Sequence, residues 1–149
     1  CSYFSIDSCI RISADSPLID PRVIDDIVIE SNNLENFDLI TNIAPRTFPK
    51  GQSVELIKRN ALARLAKDKL NYLEKEHVTL GIYRRPREYL IHNLFCKEPS
   101  FAGLQLSVDT QDDFDKAESL LRIQSRSGCD KEQIMCWKKF AEARLSLLN

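Results

Sequence analysis

No stretch of this sequence approaches the ~20 consecutive apolar residues that a membrane-spanning helix requires, and no charged segment followed by a signal-type apolar run stands at its start. A soluble, cytoplasmic protein is the expectation. Charge of one sign is lacking too: 21 Lys and Arg stand against 22 Asp and Glu, and there is no basic tail. Without a global field to gather a polyanion, nucleic acid is not an expected partner. Only two histidines are present and no Cys-x-x-Cys pair, which argues against a structural zinc site. The five cysteines, at 1, 9, 96, 129 and 136, are odd in number and irregularly spaced, unlike a secreted disulfide framework. Internal repeats and low-complexity segments are missing as well.

What is present is enough apolar residue, 43% of 149, for one compact core and too little chain for two ordinary domains. The chain opens on Cys1 and runs almost at once into Cys9-Ile10-Arg11-Ile12, which reads as a fold entered partway, with something N-terminal missing. Residues 8–13 form a β-branched run that ends at Asp15-Ser16-Pro17, so a strand followed by a loop is expected. Asp20 before Pro21 is an N-cap with proline at the first helical position, and Val23, Ile24, Ile27 and Val28 continue at helical spacing to about Ser31. A short strand over 37–41 follows. The segment from Asn42 to Gly51 holds two prolines, a glycine, Arg46 and Lys50, and is expected as a loop of the kind that carries ligands.

Further strands are expected over 54–57, 89–95 and 104–108, the last from the alternation of Leu104, Leu106 and Val108. Helices are expected over 61–70 with Asn60 as cap, over 73–84, and over 111–123 after Asp109-Thr110. A last helix over 131–148 carries Ile134, Trp137, Ala141, Leu145 and Leu148 at spacings of three and four, a stripe read as packing on this domain or on a partner. Strands alternating with helices indicate an α/β layered fold, in which this chain supplies about half to two-thirds of a domain.

Two carboxylates each follow directly on an expected strand, Asp15 after residues 8–13 and Asp109 after residues 104–108. Ligands of open α/β sheets bind beyond the carboxyl ends of the strands. If these two strands are parallel neighbours, the aspartates converge and could hold Mg²⁺ together with waters and phosphate oxygens. The competing reading is that both merely cap the element that follows.

A resemblance adds to this. Arg11-Ile12-Ser13-Ala14-Asp15-Ser16-Pro17-Leu18-Ile19-Asp20-Pro21 is very similar to the segment R-I-T-G-D-C-P-L-I-D-P of the spore coat polysaccharide cytidylyltransferases, relatives of the 3-deoxy-manno-octulosonate and acylneuraminate cytidylyltransferases. The run from Arg46 to Glu55 resembles that family's R-T-Y-P-D-G-L-D-V-E, Glu76-His77-Val78-Thr79 its E-H-V-T, and Val108-Asp109-Thr110 its V-D-T-P-E-D helix entry. The resemblance implies a Rossmann-like, mixed-sheet nucleotide-diphospho-sugar transferase fold whose N-terminal part is missing, with residues 1–126 as the C-terminal part of the domain and 127–149 as a C-terminal helix. It implies transfer of CMP from CTP to an acidic or modified sugar, with Asp15 and Asp109 as Mg²⁺ ligands and with Arg46, Gln52 and Glu55 near the sugar.

His77 is either a substrate contact or a helix-packing residue, and Arg84, Arg85 and Arg87 form a small basic patch. Relatives commonly form homodimers. The family's triphosphate loop, I-x-A-R-x-x-S-x-R-L-P-G-K, has no counterpart among the 149 residues, and Ala14 and Ser53 stand where the family has Gly and Asp. On these grounds the chain alone is expected to be inert. A non-catalytic sugar-binding or assembly module and a transferase using another base are the alternatives.

Overall fold

The computed structural model describes residues 5–126 and 136–146. Strand β1 (Ser8–Ile12) leads through a turn into helix α1 (Pro21–Asn33), and the Asp20 side chain accepts from the Arg22 amide as N-cap. Strands β2 (Leu39–Thr41) and β3 (Val54–Lys58) follow, and β3 runs without a break into α2 (Arg59–Leu65). Two short helices, α3 (Tyr72–Glu76) and α4 (Leu80–Tyr83), precede β4 (Ile91–Asn93). A 3₁₀ turn (Pro99–Phe101), helix α5 (Gln111–Arg126) and helix α6 (Trp137–Ser146) complete the described chain.

The four strands form one mixed sheet in the order β1-β3-β2-β4. β3 is antiparallel to both β1 and β2, and β2 is parallel to β4. Side chains alternate across this sheet. Ile40, Val54 and Leu56 enter the larger core, where Val23 and Ile27 of α1, Ala117 and Leu120 of α5, and Trp137, Phe140 and Ala141 of α6 pack. Leu39 and Ile57 enter a smaller core on the other side with Ala61 and Leu65 of α2, Ile82 and Tyr89. Helix α6 therefore packs on its own chain, with the Trp137 ring edge-on to Phe48 and Phe101 at 5.9 and 5.8 Å. Of the stripe expected for this helix, Ile134 and Leu148 lie outside the described residues, as does the Leu145 side chain.

Three expectations need correction. The alternation at Leu104, Leu106 and Val108 places Leu106 in the core, but residues 104–108 form no strand and share a single bridge, Lys50 with Gln105. Their partner is an irregular loop, which offers no ladder beyond the Lys50 amide to Leu104 oxygen and Leu106 amide to Lys50 oxygen bonds. The helix expected over 73–84 is two helices. Asn71 and Glu74 form a capping box that starts α3, and the backbone leaves helical geometry at His77 (φ −103°, ψ 90°), ahead of the β-branched pair Val78-Thr79. Finally, α2 starts at Arg59 rather than after Asn60 and ends at Leu65, where the Ala66, Lys67 and Asp68 amides turn back onto Leu62, Arg64 and Leu65.

Candidate active site

The two ends of the segment 42–54 are tied together by one buried side chain. Asn42 donates from Nδ2 to the Gln52 carbonyl at 2.6 Å and accepts the Val54 amide on Oδ1 at 3.0 Å. Between them the loop folds back along residues 104–107. Gly51 takes φ +90°, and a Cβ there would fall 2.6 Å from the Leu106 carbonyl carbon and the Ser107 nitrogen, so glycine is required on both counts.

This packing sets the loop against the exit of β1 and opens a cleft of about 260 Å³. Asp15 and Ser13 line it from the turn after β1, Arg46, Lys50 and Ser53 from the loop, and Asp109 and Ser107 from the entry to α5. The two aspartates do not meet as ends of parallel neighbours, because among the described residues β1 pairs only with β3, and antiparallel, and no strand precedes Asp109. They are brought together by a backbone bond from the Val108 amide to the Asp15 carbonyl, 2.8 Å.

Both carboxylates are solvent-exposed and only partly engaged. Asp15 Oδ1 accepts from Ser16 at 3.0 Å, and Asp109 Oδ2 accepts from Gln105 Nε2 at 2.6 Å. The cap of α5 falls instead to Thr110, whose hydroxyl accepts the Asp113 amide at 3.2 Å, while Asp113 answers to the Thr110 amide at 3.1 Å. Asp15 does not cap α1, a task that Asp20 performs. A hard-oxygen pair with free lone pairs, flanked by hydroxyls, suits Mg²⁺, which takes one or two carboxylates and completes its shell with water and phosphate oxygens. Among the described residues no group of three or more His, Cys, Asp or Glu side chains is placed to hold a metal, so a cation here depends on ligands from water or substrate.

Arg46 is half-buried, and burial lowers its pKa even though its electrostatic interactions with Tyr83 and Glu55 nearby oppose that shift. Its Nη1 donates to Ser53 Oγ at 3.1 Å and to the Pro49 carbonyl at 3.5 Å. Neither partner is a carboxylate.

The remaining residues singled out in the sequence are placed differently. Glu55 is 1% exposed and sits in β3 opposite Arg11 of β1 and Thr41 of β2. It accepts from Arg11 at 2.5 Å and from the Tyr83 hydroxyl at 2.6 Å, so both its oxygens are taken by protein groups. Gln52 is fully buried. Its amide accepts from the Asp20 nitrogen at 3.0 Å and donates to the Leu18 carbonyl at 2.7 Å, fixing the turn between β1 and α1. His77 is exposed at the end of α3 and does not line the cleft. In the basic patch, Arg85 is committed to Glu74 at 3.0 Å and to the Gly81 carbonyl at 2.7 Å. Sequence reasoning missed Tyr83 and Asn42, whose roles arise from contacts across strands that no local spacing signals.

The structure thus joins a mixed α/β sheet to a cleft where two exposed, partly engaged carboxylates face a basic loop. The chain belongs to the cytidylyltransferase family, whose sequence pattern matches residues 2–142. It is 30% identical over 115 residues to an uncharacterized protein of Methanocaldococcus jannaschii, a match that covers 75% of this chain and 45% of that protein. Its fold is that of a cytidylyltransferase from Leptospira borgpetersenii serovar Hardjo-bovis, with a TM-score of 0.78 and 23% identity over 88% of this chain and 53% of that one. The chain thus spans about half the length of the relatives it matches. Among the described residues, no helix is long and apolar enough to cross a membrane.

Proposed function

We propose that this chain is the acceptor-side and metal-side portion of a CTP-dependent enzyme that transfers CMP to an acidic sugar used for a surface polysaccharide. The observation that carries the proposal is the convergence of Asp15, Asp109 and Arg46 on one cleft. In the reaction an acceptor hydroxyl loses its proton as its oxygen bonds to the α-phosphorus of CTP, and the bond from that phosphorus to the bridging oxygen breaks to release pyrophosphate. Asp15 and Asp109 would hold Mg²⁺, which when bound supplies charge stabilisation at the phosphates. Arg46 offers a planar fork of donors matched to a carboxylate. Its half-burial strengthens that attraction relative to bulk water. Lys50, exposed on the same loop, adds charge that draws the acceptor in.

The test is Mg²⁺-dependent pyrophosphate release from CTP with a panel of acidic sugars, run on the full gene product and its Asp15→Asn and Asp109→Asn variants. Loss of about a hundredfold or more in kcat/KM in each variant supports the assignment. Silence of the parent with every sugar, while the protein still binds one of them, favours a sugar-binding module instead.

A further inference from the structure

Resting on Arg46 as the receptor for the acceptor's negative charge, we infer that Tyr83 is a positioning residue that keeps Arg46 available by occupying the carboxylate that would otherwise capture it. Arg11, Glu55 and Thr41 lie in register across three adjacent strands, so their side chains share one face of the sheet. Ser53 stands two residues before Glu55, just ahead of β3, and it is the residue to which Arg46 Nη1 is bonded, close enough for Arg46 to feel the Glu55 charge. Arg46 is therefore tethered one step from a buried carboxylate, yet makes no ion pair with it.

Tyr83 of α4 explains why. Its hydroxyl is 2.6 Å from Glu55 Oε1 and 2.8 Å from Thr41 Oγ1, while Arg11 takes Glu55 Oε2 at 2.5 Å. A phenol has one proton, and a carboxylate can only accept. The phenolic proton therefore goes to Glu55, and the Thr41 hydroxyl donates to Tyr83 in turn. The chain begins one step further back, where the Ile43 amide donates to Thr41 Oγ1 at 3.3 Å. Every donor in it points toward Glu55. Burial, then the Glu55 charge and the bond to it, push the Tyr83 hydroxyl far above the ordinary phenol range, so it remains a donor throughout the working pH range.

The arrangement balances Glu55 with Arg11 on the far side and saturates its near oxygen with a neutral group. The Arg46 charge stays unspent and faces the cleft. Removing the Tyr83 hydroxyl exposes Glu55 Oε1, and Arg46 can then rotate inward to pair with it. Anion affinity falls even though no cleft-lining residue has changed.

The experiment measures binding of inorganic phosphate and of acetate to the full chain by titration calorimetry, with the Arg46 Nε–Hε resonance followed by NMR. Acetate reports a carboxylate-type acceptor and phosphate a phosphoryl group. Wild type, Arg46→Ala, Tyr83→Phe, and the double variant Tyr83→Phe with Glu55→Gln are compared. The expected result is binding to wild type that is abolished in Arg46→Ala, weakened about tenfold in Tyr83→Phe, and restored in the double variant, where the competing charge is gone. A purely structural role for Tyr83 gives no such rescue. Equal binding by wild type and Tyr83→Phe, or weakened binding that the double variant fails to restore, overturns the inference and leaves Arg46 as receptor. Absence of any Arg46-dependent binding in wild type overturns the receptor reading itself, and this inference with it.

Discussion

At the scale of single residues, the cleft depends on side chains that never touch a ligand. Gln52 satisfies a backbone donor and a backbone acceptor between β1 and α1, all in the dry interior. Gln52→Ala leaves both unpaired and is expected to cost about 2–4 kcal/mol of stability, measured by urea unfolding. Gly51→Ala combines a positive φ with a 2.6 Å clash against backbone, which cannot yield as a side-chain tip does. That variant should lose at least about 2 kcal/mol and any metal-dependent activity together, since the loop and the Asp109 segment are forced apart. Sequence reasoning singled out Asp15 and Asp109 because each follows an expected strand, and Arg46 because it stands in a basic loop, and all three line the same cleft. It had no access to the burial of Glu55 and Gln52, which depends on which strand lies opposite and on where the turn before α1 folds.

At the scale of elements, β2 and β4 are joined by more than their short parallel ladder. Asp38, just before β2, accepts the Leu90 amide at 2.9 Å and pairs with Arg64 of α2 at 2.8 Å, while its own amide donates to the Leu90 carbonyl at 2.8 Å. Burial alone would raise the Asp38 carboxyl, but the Arg64 and Leu90 bonds outweigh it and hold it below its ordinary value. A carboxyl lowered in the folded state contributes stability that is complete above its unfolded pKa of about 3.9 and is lost as pH falls through the folded value. The unfolding free energies of wild type and Asp38→Asn, from urea titration, should therefore differ at pH 7 by about 1 kcal/mol and converge under strong acid. Strand β1, helix α1, strand β3 and helix α5 were legible because periodicity and caps agree in each. The 104–108 segment was not, since an alternating burial pattern is produced equally by a strand and by an extended loop laid along a core. The break between α3 and α4 was missed because the apolar spacing passes through it, and Thr79, where helix formation restarts, makes no side-chain cap bond that would mark it.

At the scale of the whole molecule, α6 closes the larger core. Trp137, 5% exposed, holds Phe48 of the cleft loop and Phe101 by ring edges, and its amide donates to the Asp20 carboxylate at 3.1 Å. Trp137→Ala should cost about 3–5 kcal/mol, read from thermal or urea unfolding followed by circular dichroism. Because Trp137 is the sole tryptophan, its fluorescence reports the packing of the loop that carries Arg46, and ligands that order the loop should shift its emission. One core and an α/β layered fold were foreseeable from composition and from the alternation of strands with helices, while the mixed sheet was expected only from the resemblance. The meeting of the two carboxylate-bearing segments was expected as the ends of two parallel strands; the Val108 to Asp15 bond that joins them instead was not, since it spans 93 residues of chain between two irregular segments. That bond gives the cleft a clock. An amide proton leaves for deuterium only when its bond opens, so the Val108 exchange rate counts how often the two aspartates part. A ligand that bridges Asp15 and Asp109 must slow that exchange, whether or not any chemistry follows.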